Sequence, residues 1–241
     1  MNMDGQVKPR HPAWTWVGCG CGALVAAGLA VVLTMTWIGY KASKAFEADM
    51  KDPVAREKRS REILGYQSLP AGYHAAGGFE LPFVIQMAML TDRDIPAGEA
   101  VDEHSAFDRS GFVFLKLRGM DEDGEKRFED YLEGRSDEND FFGVDTSAVK
   151  FVRGEVIGRG RLALADASVR YVAQEGTRDG GPPSVISVAA IECATPPDAR
   201  KRIAVWFEAK VEAVDPAAPY AGTPADPTRL GEFLGHFQLC Q

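Results

Sequence analysis

Between Ala13 and Tyr40 the chain carries no charged residue, and that property constrains its folding more than any other. A bilayer's hydrocarbon core, about 30 Å thick, is crossed by about 20 residues of helix, which must satisfy its own backbone hydrogen bonds because no water is there to do so. Val17 to Ile38 supplies that length. Trp14 and Trp16 mark one end and Trp37 and Tyr40 the other, the positions where amphipathic rings prefer the headgroup layer. The expectation is a single-pass signal-anchor: a short leader over 1–12, then a transmembrane helix over 13–40. The competing reading is a cleavable secretory signal, with Lys8 and Arg10 as its basic leader and Ser43-Lys44-Ala45 as its cleavage site. The apolar run is longer than the roughly 7–15 residues of such signals, and Lys41 and Lys44 crowd the site. Cys19 and Cys21 precede the apolar run, whereas a lipidated cysteine comes after one.

Within the span, Gly18, Gly22, Ala26 and Ala30 recur every four residues. Small residues at that spacing let helices approach closely, so the stripe is a candidate for self-association or pairing with another span. Gly and Ala are also common in spans that pair with nothing. The lipid bilayer is the first partner the sequence implies, through residues 13–40.

Charge divides the chain. Residues 1–61 carry nine Lys and Arg against five Asp and Glu, which leaves 18 against 30 for residues 62–241. The acidic remainder lacks the clustered cations that nucleic acid or anionic lipid binding needs, so no nucleic-acid partner is expected. Arg200-Lys201-Arg202 reads as a solvated turn. The basic flank after the span would favour the cytoplasm by the positive-inside rule. An amino-terminal anchor behind a short basic leader nevertheless commonly exports the domain attached to it, and long domains cross largely regardless of charge. The cysteines favour export: Cys193 closes a predicted strand, Cys240 is the penultimate residue, and a bridge between them would persist only in an oxidising compartment. Two separate buried thiols is the alternative. The expected location is therefore the membrane, with the carboxyl-terminal domain extracytoplasmic (periplasmic).

Residues 41–65 read as a charged juxtamembrane stalk. Asp52-Pro53 is an N-cap followed by proline at the first helical position and Gly65 is a stop, predicting a helix over 53–64 that is polar nearly all round and holds the domain off the membrane. Residues 66–241 predict one globular domain. From Phe79 to Met89 the apolar residues alternate, predicting one half-buried strand with Pro82 at an edge or bulge. A second strand covers Phe112–Leu117, and Phe128, Tyr131 and Leu132 take helical spacing. Four more strands come after it: Lys150–Ile157, Arg161–Gln174 with a break near Ala165-Asp166, Ser184–Cys193 and Arg202–Val211. Asp226-Pro227 opens a closing helix with Leu230, Phe233, Leu234 and Phe237 on one face. The fold class is α+β: a twisted antiparallel sheet with packed helices.

That order, with GFELPF in an early strand and DPTRLGEFLGHFQL as the last helix, resembles the PsbP-like α/β/α sandwich domains over residues 70–239. The resemblance implies a non-enzymatic binding or assembly module, often membrane-anchored in the envelope, and carries no site residue across. Its partner would be a protein in the membrane or envelope.

The chemical motifs are negative. His11, His74, His104 and His236 are scattered, and no HExxH, GxSxG, Walker loop or CxxC occurs. Neither a catalytic residue, a cofactor nor a metal is assigned. Asp121, Asp123 and Glu125 resemble half a calcium loop without its remaining ligands and read better as a helix start. Gly154–Gly160 lacks the lysine and hydroxyl of a phosphate loop and reads as a bulged strand or hairpin. Phe141-Phe142, beside the acidic stretch 136–140, is a candidate partner patch, with core filling as its alternative. The competing function is an anchored hydrolase or ion-dependent enzyme, which requires His74, His236, Asp121 and Asp123 to converge.

Overall fold

The computed structural model describes residues 50–81, 84–99, 107–137, 154–177, 183–195, 199–210 and 216–241. Among them no helix is long and apolar enough to cross a membrane. The expected span with its Gly18, Gly22, Ala26 and Ala30 stripe, and the Phe141-Phe142 patch, lie outside the described residues. Three helices, α1 (Pro53–Leu64), α2 (Glu122–Leu132) and α3 (Pro227–Leu234), accompany seven strands: β1 (His74–Leu81), β2 (Ile85–Thr91), β3 (Ser110–Leu117), β4 (Glu155–Ala163), β5 (Ala167–Thr177), β6 (Pro183–Cys193) and β7 (Lys201–Ala209).

Helix α1 has the ends its sequence predicts. The Asp52 side chain accepts from the Val54 N–H at 2.9 Å, and Gly65 closes the helix with φ +66°, the left-handed cap that glycine adopts without penalty. The stalk expectation for this helix is corrected. It packs on the sheet and buries Arg56, Ser60, Ile63 and Leu64, so the compact unit takes it in. The reason is a close approach to glycine backbone. A side chain at Gly78 would meet Arg59 and Ile63 at 3.0–3.1 Å, Ser60 Oγ donates to the Gly77 carbonyl at 3.0 Å, and Arg56 donates to the carbonyls of Met50 and Ile95. A polar helix can be buried where its hydrogen bonds are completed in this way.

The stretch read as one strand from Phe79 is a hairpin. β1 pairs with β2 antiparallel from His74↔Thr91 to Leu81↔Ile85, so the chain reverses between Leu81 and Ile85. β3 continues this meander. A second meander, β4 to β7, returns so that β7 lies against β3, giving one antiparallel sheet in the order β1-β2-β3-β7-β6-β5-β4. The hairpin between β4 and β5 falls where the sequence breaks, with Leu164 N–H donating to Ala167 O at 2.8 Å. Gly158 and Gly160 lie in β4, whose register shifts between Val156 and Gly158. That shift is the bulge expected of Gly154–Gly160.

Both faces are covered in part, each for a reason visible in the strand alternation. On the first face, Leu90, Phe112, Phe114, Val169, Ile191 and Trp206 meet Ile63 and Leu64 of α1 and Leu230, Phe233 and Leu234 of α3. On the second, Val172, Ile186, Val188, Ile203 and Val205 meet Phe128, Tyr131 and Leu132 of α2. The fold is α+β, with α1 and α3 packed against one face of the sheet and α2 against the other.

Two tyrosines of the first layer make stability fall at high pH. Burial raises the Tyr66 and Tyr73 phenols from 10.0 to about 12, with Glu57 adding to the effect at Tyr66 and Glu208 at Tyr73. A raised folded-state pKa contributes stability that is complete below pH 10 and lost as pH climbs through about 12. The urea midpoint is expected to drop across that interval, and Tyr73→Phe is expected to flatten the drop. An unchanged profile in Tyr66→Phe and Tyr73→Phe together would exclude this origin.

Candidate interaction surface

Among the described helices, α2 alone lies on the second face, and it covers half of it. Asp121 caps this helix by accepting from Gly124 N–H at 2.7 Å, so the suspected calcium loop is the start of a helix. Three acidic residues in its first turn, Glu122, Asp123 and Glu125, favour the helix dipole. Its position is fixed by Arg170 of β5, which donates to both Glu129 oxygens at 2.6 and 3.0 Å and to Glu192 at 2.7 Å. This fork holds the Glu129 carboxyl below its ordinary range, the hydrogen bonds from Arg170 being the main cause. Lys201 of β7 pairs with Glu125 at 2.6 Å. The helix therefore sits over β5, β6 and β7.

Beyond it the same face carries Phe79, Leu81, Ile85, Met87, Met89, Leu115 and Leu117, on β1, β2 and β3. The register makes them contiguous. Leu81 lies opposite Ile85, and Ile85 opposite Leu117; Phe79 lies opposite Met87, and Met87 opposite Leu115. All but Leu81 are half-buried. Leu81 is 45% exposed, and Val84, in the hairpin turn, 57%. Of the exposed large apolar residues among the described ones, only Val54, on α1, lies elsewhere. Arg118, itself exposed, donates its backbone N–H to the Val84 carbonyl at 2.9 Å. A continuous apolar surface of this kind marks a contact site more often than scattered single residues do.

The titratable candidates do not converge. His74 opens edge strand β1, His236 comes after α3 beside the first face, and Asp121 and Asp123 lie at the start of α2 on the second. His74, His236, Asp121 and Asp123 are all exposed. No three His, Cys, Asp or Glu residues among the described ones are grouped to hold a metal ion. Of the acidic stretch 136–140, Asp137 is described, and it pairs with Arg159 at 2.5 Å.

Cys193, the last residue of β6, and Cys240 are joined by a disulfide with Cα atoms 5.6 Å apart. Arg200-Lys201-Arg202 is not a solvated turn. Lys201 begins β7, and Arg202 is buried opposite Lys116 of β3, whose Nζ donates to the Gln241 carbonyl at 3.0 Å. The cue in the sequence was the alternation with Ile203, which places Arg202 inside the strand rather than before it. The half-exposed apolar face itself was not visible in the sequence, since among the described residues it depends on where α2 lies.

No family model matches the chain, and neither a curated protein nor a solved structure matches it.

Proposed function

We propose that this is a single-pass, amino-terminally anchored membrane protein whose α+β domain, on the extracytoplasmic (periplasmic) side, is a binding or scaffolding module. The observation that carries the reading is the partly exposed apolar half-face over β1, β2 and β3, over which no described helix lies. An apolar half-face that the described elements leave half-exposed has the character of a contact surface. The uncharged run at 13–40 supports the anchor, and a bridged Cys193–Cys240 pair fits an oxidising compartment. An assembly role in the envelope is what the PsbP-like resemblance of the sequence implies. The hydrolase or ion-dependent alternative has no observation in its favour, because His74, His236 and the Asp121–Asp123 pair lie in or beside three different elements.

Membrane fractionation tests the reading. The full-length protein is expected to stay in the pellet through carbonate washing, and its carboxyl-terminal domain to be digested when protease is added outside spheroplasts. Release by carbonate would remove the anchor. Protection from external protease, with digestion after lysis, would place the domain in the cytoplasm.

A further inference from the structure

We propose that the Cys193–Cys240 bridge is a redox latch on α1: with the bridge open, residues 236–241 lift from the sheet as a unit and release the last turn of the helix, which they cap. The latch lies within the folded domain and acts whether or not the chain is anchored.

Helix geometry supplies the first argument. The last carbonyls of an α-helix have no partner within it and need one from elsewhere. In α1 the Arg61 carbonyl accepts from the Gly65 N–H at 2.8 Å. The next three are met by residues 238 and 241. Leu64 O accepts from the Gln238 N–H at 2.8 Å, and Glu62 O and Ile63 O accept from Gln241 Nε2 at 3.4 and 3.5 Å. Gly65 brings the two backbones so close that a side chain there would overlap those of Gln238 and Gln241, and the Phe237 ring meets Tyr66 edge-on with centroids 6.4 Å apart. The start of α1 is held differently, by the Asp52 cap and by Arg56 on the carbonyls of Met50 and Ile95. Losing residues 236–241 therefore loosens one end of the helix and not the other.

Topology supplies the second. Residues 236–241 are pinned on both sides. Before them, α3 is buried on the sheet through Leu230, Phe233 and Leu234. Within them, Cys240 is bonded to Cys193, whose place is fixed by β6, an interior strand paired with both β5 and β7. With the bridge closed, the segment cannot swing out unless α3 or β6 moves as well. With it open, the segment leaves by breaking its own contacts: the burial of Phe237 and Leu239, the bonds to α1, and Gln241 O on Lys116 of β3. Such partial openings need less free energy than global unfolding, so the docked arrangement stays the populated one while its opening becomes frequent. Both cysteines are half-buried, which leaves the sulfurs within reach of a small dithiol. Its thiolate attacks one sulfur, and the other leaves as a thiolate that takes up a proton. The second thiol then displaces the mixed disulfide, so two electrons pass to the protein, which gains two cysteine thiols, and the dithiol becomes a disulfide.

The test is amide hydrogen exchange of the full-length protein in detergent, carrying Cys19→Ser and Cys21→Ser so that this pair alone responds, with and without dithiothreitol and far below the melting temperature. Both samples are reduced in the acid quench, so their peptides are read alike. Exchange in 185–191 of β6 reports global stability and is the reference. Relative to it, reduction is expected to speed exchange in 236–241 and in 62–65 together, by about tenfold or more, while 57–60 of α1 moves with the reference. Cys193→Ser/Cys240→Ser should reproduce the pattern without reductant. A gain over the reference in 236–241 that 62–65 does not share shows that the segment does not hold α1, and it overturns the proposal. One common factor for all four stretches, or no change in any, overturns it as well, because the bridge then acts through global stability alone or not at all.

Discussion

Replacing Trp206 by alanine is expected to lower unfolding free energy by about 3–5 kcal/mol, the range for large aromatic truncations in cores. Trp206 lies in β7, at the join of the two meanders, and is 1% exposed. Its ring stacks on Phe233 of α3 with centroids 4.1 Å apart and planes within 6°, while the Arg229 guanidinium lies 5.2 Å from its centre. Its indole N–H donates to the Tyr73 hydroxyl at 2.7 Å, and that hydroxyl donates to Glu208, which also accepts both Arg229 nitrogens at 2.5 and 2.9 Å. Alanine removes the stack and the cation's platform and leaves a cavity between α3 and the sheet. Trp206→Phe keeps most of the apolar contact and loses one hydrogen bond, so it should cost about 1–2 kcal/mol including the smaller ring. Urea denaturation of both variants separates the two contributions. If phenylalanine and alanine cost the same, the stack on Phe233 contributes nothing and α3 is held by its leucines alone.

The parts legible in the sequence were those with local signals. The Asp52-Pro53 and Asp226-Pro227 caps each sit at a helix start, and in each the aspartate accepts from the N–H two residues on. The Ala165-Asp166 break is a hairpin turn, and β7 alternates as its residues do. The first hairpin is hidden for a geometric reason. Leu81 and Ile85 are paired across it, so they share a face, and they also share sequence parity because three residues lie between them. A period-two pattern therefore runs through the reversal without a break in phase, and Pro82, which lacks an N–H for the ladder, is the sole local clue. The burial of α1 is hidden because hydropathy does not register a serine and an arginine that bond to carbonyls. The half-covered face is still less local. β4 pairs only at the far edge, three strands beyond β7 in the sheet order, and α2, which comes after β3 in the chain, lies over β5, β6 and β7, so that no described helix lies over β1, β2 and β3 on that side.

Opening the Cys193–Cys240 bridge is the second large effect expected. The two cysteines are 47 residues apart in sequence, and closing a loop of that length removes about 4 kcal/mol of unfolded-state freedom in the chain-entropy model. For a domain of this size that corresponds to a fall of roughly 8–16 °C in Tm. The expectation is specific because the segment the bridge retains is otherwise well placed. Phe237 and Leu239 are buried, Gln238 N–H donates to Leu64 O at 2.8 Å, and Gln241 O accepts from Lys116. The native contacts of the tail should therefore survive reduction, and the loss should appear as a lower Tm with no change in secondary structure. The measurement is made on protein carrying Cys19→Ser and Cys21→Ser, so that only this pair responds, by comparing oxidised, reduced and Cys193→Ser/Cys240→Ser forms. The reduced and double-serine proteins should agree, both well below the oxidised one. If the oxidised form melts within about 2 °C of the other two, the bridge constrains little in the unfolded chain. The same pair reports on compartment. Alkylation in intact cells, before and after reduction, should find both thiols blocked until reductant is added, because a cytosolic domain would hold them reduced and immediately reactive.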